Sequence, residues 1–313
     1  MASDWNRLKV SAPGSLMVMG EHAVLHDQWA IATAVDRRIE LSLVPRDDRN
    51  VIIRSSLANY EASLNQLLPH PQLKFVLEAI AQAHPSQGFE VDIESAIDHT
   101  VGLGSSAAVT AAMVAALAFW ENPALADDKA LLLQRAHEVV LAVQGRGSGT
   151  DLAASVYGGL LGYRVDGRQV KPLPAIWPIT LVYCGYKTPT PEVLQKVHDE
   201  AAQCPSLYSG IYHLMGQAAE QAMTAAELGN DELFMRCMQM QHGLLDALGV
   251  CDETLADIVY HLRQLPGVSA AKISGSGLGD SVLALGHTSA ELPWQSIAVS
   301  MSSRGVEVVP ESI

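Results

Sequence analysis

Thr100-Val101-Gly102-Leu103-Gly104-Ser105-Ser106-Ala107-Ala108 runs directly into a stretch of small apolar residues, Val109 to Phe119. The apolar stretch reads as a buried helix, and the residues before it as the turn that starts it. Glycines let backbone N–H groups approach a ligand, two hydroxyls follow them, and a helix N-terminus turns its positive dipole end toward the loop. Such a segment suits an anion, and polyphosphate is the natural guest. Taken alone, it is equally an ordinary Ser-capped helix after a glycine turn.

Two further Gly/Ser segments bear on that choice. Gln144-Gly145-Arg146-Gly147-Ser148-Gly149-Thr150-Asp151-Leu152-Ala153-Ala154 places a carboxylate at the start of another helix. Locally, Ser148 and Asp151 stand three apart and would serve as a capping-box variant worth about 1 kcal/mol. Chemically, a carboxylate kept ionised by a helix dipole is poised to accept a proton from an alcohol. The third segment is Ser274-Gly275-Ser276-Gly277-Leu278-Gly279-Asp280, entered from a strand at 270–273 and followed by a strand-like run at 281–285.

Around these lies an alternation of strands and helices. Residues 8–12 predict a strand ending at the Pro13-Gly14 turn, and 30–35, 39–44 and 51–54 predict three more. Gly20-Glu21-His22 then interrupts the apolar pattern with a polar pair that needs a reason to be there. Residues 59–88 have a helical period, clearest at 74–83, and 89–93 alternates as a strand. A helix is expected over 124–144, strands over 160–165 and 179–183, and four helices over 191–203, 207–228, 231–248 and 252–265. The close is read as a helix at 294–304 and a strand at 306–309. Pro172, Pro174 and Pro178 mark the expected boundary between halves, 1–178 and 179–313.

Composition narrows the function. With 313 residues and 49% hydrophobic residues, the chain has material for two cored domains. Its 20 Lys+Arg against 34 Asp+Glu give a net charge of −14, which argues against sequence-independent binding to nucleic acid or to anionic membrane. Any phosphate site must be local. The 4 cysteines have neither metal-ligand spacing nor the density of a disulfide scaffold, as expected for a cytoplasmic protein. No apolar run approaches a membrane span or a signal-peptide core.

Ala12-Pro13-Gly14 leading to Gly20-Glu21-His22, then residues 102–108, then residues 275–280, form an ordered set that resembles the GHMP kinases. The resemblance spans nearly the whole chain. It implies an α+β, two-domain fold: a ribosomal-protein-S5-like N-terminal domain and a C-terminal α/β domain with ferredoxin-like strands, binding ATP and substrate in the cleft between. Gly20-Glu21-His22-Ala23-Val24-Leu25-His26 and 242–250 look most like mevalonate kinase. The segment 144–158 and Asp280 look closer to phosphomevalonate kinase.

By that resemblance Thr100, Val101, Gly102, Leu103, Gly104, Ser105, Ser106 and Ala107 hold the ATP phosphates, with Gly275, Ser276 and Gly277 closing over them. Ser106 binds Mg2+, and Asp151 accepts the proton. Glu21, His22, Lys187 and Thr190 meet the substrate. The family's lysine after Ala-Pro-Gly is replaced by Ser15, so transfer is expected to be slowed unless another cation substitutes, Arg146 being the first candidate and Lys187 the second. Its second metal ligand, eleven residues before the catalytic Asp, is replaced by Val140, which leaves Glu138 as a weak substitute. The implied activity is ATP-dependent phosphorylation of a small hydroxy acid, mevalonate at its primary hydroxyl, in isoprenoid precursor synthesis. The alternatives are phosphomevalonate, another small alcohol or sugar, or a nucleotide-binding sensor that has lost transfer. A homodimer is compatible with the resemblance.

Overall fold

The computed structural model describes residues 5–98 and 101–312. The chain folds as β1 (Arg7–Met19), β2 (Ala30–Pro45), β3 (Asn50–Ser55), β4 (Asn59–Ser63), α1 (Lys74–Ala83), β5 (Phe89–Ser95), α2 (Ser105–Glu121), α3 (Lys129–Gln144), α4 (Thr150–Tyr157), β6 (Leu160–Arg164) and β7 (Gln169–Leu173). It continues through β8 (Ile179–Lys187), α5 (Thr190–Gln203), α6 (Pro205–Glu227), α7 (Asp231–Ala247), α8 (Glu253–Arg263), β9 (Val268–Ser274), β10 (Gly279–Gly286), β11 (Gln295–Ile297) and β12 (Glu307–Glu311).

The first sheet has eight strands, in the order β12-β1-β2-β5-β3-β4, with β6 paired to β2 and β7 to β6. The second has four, in the order β11-β8-β10-β9. Helix α2 packs on β1 and β2 and is itself wrapped by α1, α3 and α4. That position explains its composition: Ala107, Ala108, Ala111, Ala112, Ala115 and Ala116 are all buried, so nearly every face meets protein. Thr110 within it satisfies its hydroxyl by donating to Ser106 O at 2.7 Å, one turn back. Helices α7 and α8 cover β9 of the second sheet, and α6 packs on α7 and reaches β2. The expected α+β architecture is present. Among the described residues no helix is long and apolar enough to cross a membrane.

Several boundaries differ from expectation, each for a physical reason. Pro13-Gly14 does not end the first strand. A register shift between Pro13 and Ser15 absorbs it, and β1 continues to Met19. The two strands expected at 30–35 and 39–44 are one long β2, whose first part pairs with β6 and second part with β5. The stretch from 59 begins as β4, paired with β3, before α1 starts at Lys74. Residues 294–304 form no helix: Ile297, Val299 and Met301 face the core at alternate positions, and Gln295–Ile297 pair with β8. The proline-rich connection from β7 to β8 does lead from the first sheet to the second. The chain then returns, β12 pairing antiparallel with β1 from Arg7↔Glu311 to Ser11↔Glu307.

Candidate active site

The Gly102 loop starts α2 as an anion cradle would. Gly104 caps the helix at φ 65°, a left-handed conformation that glycine adopts without strain, and no side chain caps the first turn. Ser106 is exposed there, Ser105 half-buried, while Val101 and Leu103 turn their side chains into the core. Thr100 lies outside the described residues. The loop's backbone is stitched to both sheets. Leu103 O accepts from Ser15 N at 3.1 Å, and Val101 O accepts from Ser281 Oγ at 3.2 Å.

Asp151 stands in the first turn of α4, whose N-cap residue is Gly149 at φ 83°. Of the capping alternative only the serine half forms: Ser148 Oγ accepts from Thr150 N at 3.3 Å and pairs with Thr150 Oγ1 at 2.9 Å, while the Asp151 carboxylate accepts from Ser15 Oγ at 2.8 Å. Ser15 in turn lies against Gly104, where a Cβ would stand 2.0 Å from its Oγ. The β1 bulge, the Gly102 loop and the carboxylate are thus one contact chain. Asp151 is hemmed in by protein yet still reached by solvent. Burial pushes its pKa up, and the Ser15 hydrogen bond and the charge of Lys187 pull it back, while Asp280 and Glu21 add to the rise.

The third segment joins the same place. Asp280, at φ 72°, presses its carboxylate on Gly102, where a Cβ would stand 2.3 Å from Oδ1 and 2.6 Å from Oδ2. Gly275 approaches the same carboxylate, its Cβ position 3.6 Å from Oδ2. Lys187 Nζ pairs with Asp280 Oδ2 at 3.0 Å, whereas Oδ1 is buried with no hydrogen-bond partner among the described residues. Burial raises the Asp280 pKa and Lys187 opposes that rise. All three glycine-containing segments therefore converge on Asp151.

The remaining expected residues divide. His22, at φ 61°, donates from Nε2 to Ser276 O at 2.9 Å, tying the turn after β1 to the third segment. Its pKa is lowered by burial, with the Ser276 bond and Glu21 acting the other way. Glu21 is buried in an ion pair with Lys272 of β9, so its carboxylate braces the two sheets against each other. Gly277 packs on Val250, and Ser274 Oγ donates to Met17 O at 2.9 Å. Thr190 is exposed at the start of α5.

Arg146 is not brought to Asp151. It is exposed between two positive-φ glycines, and its Nη2 reaches across to Pro191 O at 3.4 Å. Glu138 is likewise on the solvent face of α3, where Gln134 Nε2 donates to it at 3.0 Å.

Two residues that sequence reasoning passed over shape the site. His137 accepts from Arg168 Nε at 3.4 Å on Nδ1, which leaves Nε2–H to donate to Gly147 O at 2.8 Å and brace the loop before Asp151. Lys272 stands in the apolar run Ala270-Ala271-Lys272-Ile273, and a charge there is itself a sign of a buried partner.

Magnesium is implied by this kind of site. Among the described residues no group of three or more His, Cys, Asp or Glu is placed to hold a metal ion. The donor the loop does offer is the Ser106 hydroxyl, a hard oxygen exposed at the cradle. That suits a cation that keeps several waters and takes most of its ligands from phosphate.

The family model described as the GHMP kinases N terminal domain matches residues 72–159, and that of the GHMP kinases C terminal domain matches 222–292. A mevalonate kinase of Thermococcus sibiricus is 33% identical over 300 residues, covering 89% of each chain. One of Saccharolobus solfataricus is 28% identical over 91% of this chain and 92% of its own. Among solved structures, the Lin0012 protein from Listeria innocua superposes with TM-score 0.80 at 25% identity, over 94% of this chain and 99% of that one. The Methanococcus jannaschii mevalonate kinase superposes with TM-score 0.77 at 22% identity, over 94% and 98%. Three converging glycine segments around one carboxylate, both family models in order and a relative at 33% identity have one reading: the chain belongs to the GHMP kinase family, with mevalonate kinases as its relatives.

Proposed function

We propose that this protein is an ATP-dependent kinase that phosphorylates the primary hydroxyl of mevalonate, in the supply of isoprenoid precursors. The observation that carries the chemistry is the Gly104–Ser15–Asp151 contact chain, which sets a carboxylate beside an uncapped helix N-terminus. The acceptor is supported by mevalonate kinase relatives that match over nearly nine-tenths of the chain.

In this reading the first turn of α2 binds the β- and γ-phosphates through its N–H groups and dipole. Ser106 would hold Mg2+, which when bound neutralises phosphate charge. Asp151 takes the hydroxyl proton as the oxygen attacks in line, and Ser15 keeps the carboxylate aimed. Thr190 and His22 line the acceptor side. The catalytic power resides in positioning and in charge stabilisation. The four cysteines are free thiols, in keeping with a reducing cytoplasm.

The test is ATP consumption by purified protein with Mg2+, with and without mevalonate. Acceptor-dependent turnover is expected, and Asp151→Asn should reduce kcat by about 100-fold or more while nucleotide affinity stays within a few-fold. Turnover raised by mevalonate 5-phosphate but not mevalonate would replace the acceptor. ATP binding without any acceptor-dependent turnover would replace the kinase by a sensor.

A further inference from the structure

Phosphoryl transfer between oxygens concentrates negative charge on the moving group, and a site that performs it needs a positive charge at that point. Here β1 does not bring one, because Ser15 offers Asp151 a neutral hydroxyl. The basic side chains near the cleft differ sharply in what they are free to do. Lys272 is fully buried and committed to Glu21. Arg146 is exposed and turned to Pro191 O. Lys187 is placed differently from both.

Its backbone is fixed. Lys187 is the last residue of β8, in register with Gly279 of β10, and the next residue, Thr188, donates from Oγ1 to Leu278 O at 2.5 Å. Gly279 packs so closely that a Cβ there would stand 3.1 Å from Lys187 Cα. The side chain beyond this anchor is not fixed by burial, being 35% exposed. Its ammonium is held by one carboxylate oxygen of Asp280, and that carboxylate lies on the Cα of Gly102 in the phosphate loop. The ammonium is therefore parked one residue from the cradle, on a long stem with a rigid base.

We infer that Lys187 is the catalytic cation of this kinase, leaving Asp280 to contact the transferring phosphoryl group when the cradle is loaded. The inference rests on the kinase reading above. The acceptor oxygen forms its bond to the γ-phosphorus as the bond from that phosphorus to the β–γ bridging oxygen breaks, and ADP departs with that electron pair. The proton goes to Asp151, and Lys187 remains protonated throughout, its charge set against the oxygens of the moving group. Its field already reaches the Asp151 carboxylate, where it favours the ionised form that the base role requires.

Lys187→Met and Lys187→Arg test this, with kcat, the KM of each substrate, and the dissociation constant of a non-hydrolysable ATP analogue measured by calorimetry. Lys187→Met is expected to lower kcat about 100-fold or more, the scale of removing one aimed donor. The analogue's dissociation constant and the KM for mevalonate should stay within about three-fold, since a charge used in the transition state shows in kcat alone. Lys187→Arg should recover at least about ten-fold over Lys187→Met. A Lys187→Met enzyme within about five-fold of wild-type kcat overturns the inference. So does one whose loss lies in the KM for mevalonate, which would make Lys187 a contact for the acceptor's carboxylate. A wild-type enzyme without acceptor-dependent turnover overturns the kinase reading and this inference together, whereas an active wild type with an equally active Lys187→Met overturns this inference only.

Discussion

Removing Glu21 should leave a lysine charged where water does not reach. Lys272 is 0% exposed and Glu21 3%, and the pair links the turn after β1 to β9. Losing one partner of a buried pair costs about 3–5 kcal/mol, because the survivor keeps its desolvation cost without its compensation. The cost also has a ceiling. Burial already draws the Lys272 pKa below its ordinary 10.5, with Glu21 opposing. Without Glu21 the lysine can shed its proton, and doing so at pH 7 costs about 5 kcal/mol, from 1.36 kcal/mol for each pH unit below 10.5. Glu21→Ala is thus expected to lose about 3–5 kcal/mol in urea unfolding at pH 7. The loss should shrink as pH rises toward 10.5, where the unfolded chain gives up the same proton. Replacing both partners, Glu21→Leu with Lys272→Met, removes both desolvation costs. Among the described residues Glu21 Oε2 has no hydrogen-bond partner, so the native pair is incompletely satisfied and the double variant should fall within about 1 kcal/mol of the parent or above it. A Glu21→Ala protein within about 1 kcal/mol of the parent would refute the reasoning, and so would a double variant as unstable as the single one.

Three further outcomes follow from the site and its surroundings. Gly104→Ala places a methyl 2.0 Å from Ser15 Oγ at φ 65°, so left-handed strain of about 1–2 kcal/mol adds to a displaced Ser15–Asp151 bond. Both the urea midpoint and kcat should drop, and an unchanged kcat would show that the contact chain does not position Asp151. Ser15→Ala removes a bond that lowers the Asp151 pKa. The acid limb of the pH profile of kcat/KM, already above the ordinary carboxylate range, should move further up, and a limb that stays in place or moves down would count against Asp151 as the base. His242, its pKa lowered to about 4 by burial and then by Arg263 and Lys272, is neutral when folded. The unfolded chain takes up a proton below 6.5 that the native state refuses, so stability present above pH 6.5 is lost as pH falls toward about 4, by up to about 3 kcal/mol. His242→Gln should flatten that decline, and identical slopes in the two proteins would exclude His242 as its source.

What could be read from the chain beforehand followed from local rules. The 3.6-residue period marked α5 to α8, an unbroken run of small apolar residues marked α2, and clustered glycines marked the loops that later converge. Asp151 was legible because the family resemblance falls on it, since a carboxylate in the first turn of a helix has ordinary capping and dipole roles as well. The failures were non-local. Whether Pro13-Gly14 ends a strand or forms a bulge depends on Leu103 lying against it, which no local pattern records. Arg146 and Lys187 both carry a positive charge and both lie near glycines in sequence. Only the pairing of β8 with β10 shows that Lys187 meets Asp280, whose carboxylate lies against Gly102, while Arg146 faces outward. Lys272 and Glu21 are 251 positions apart, so neither alone announces the other.

Because β12 supplies the outer neighbour of β1, the sheet that carries the Ser15 bulge and backs α2 acquires its last strand from residues made only after every strand of the second sheet. Until Glu307–Glu311 arrive, one margin of β1 keeps its amide and carbonyl groups open to any other extended chain. The nascent protein is thereby most prone to association before those residues emerge, and final closure of the first layer must wait on the second. A fragment ended after β7 would keep every residue of the phosphate loop and Asp151, yet would carry that open margin permanently.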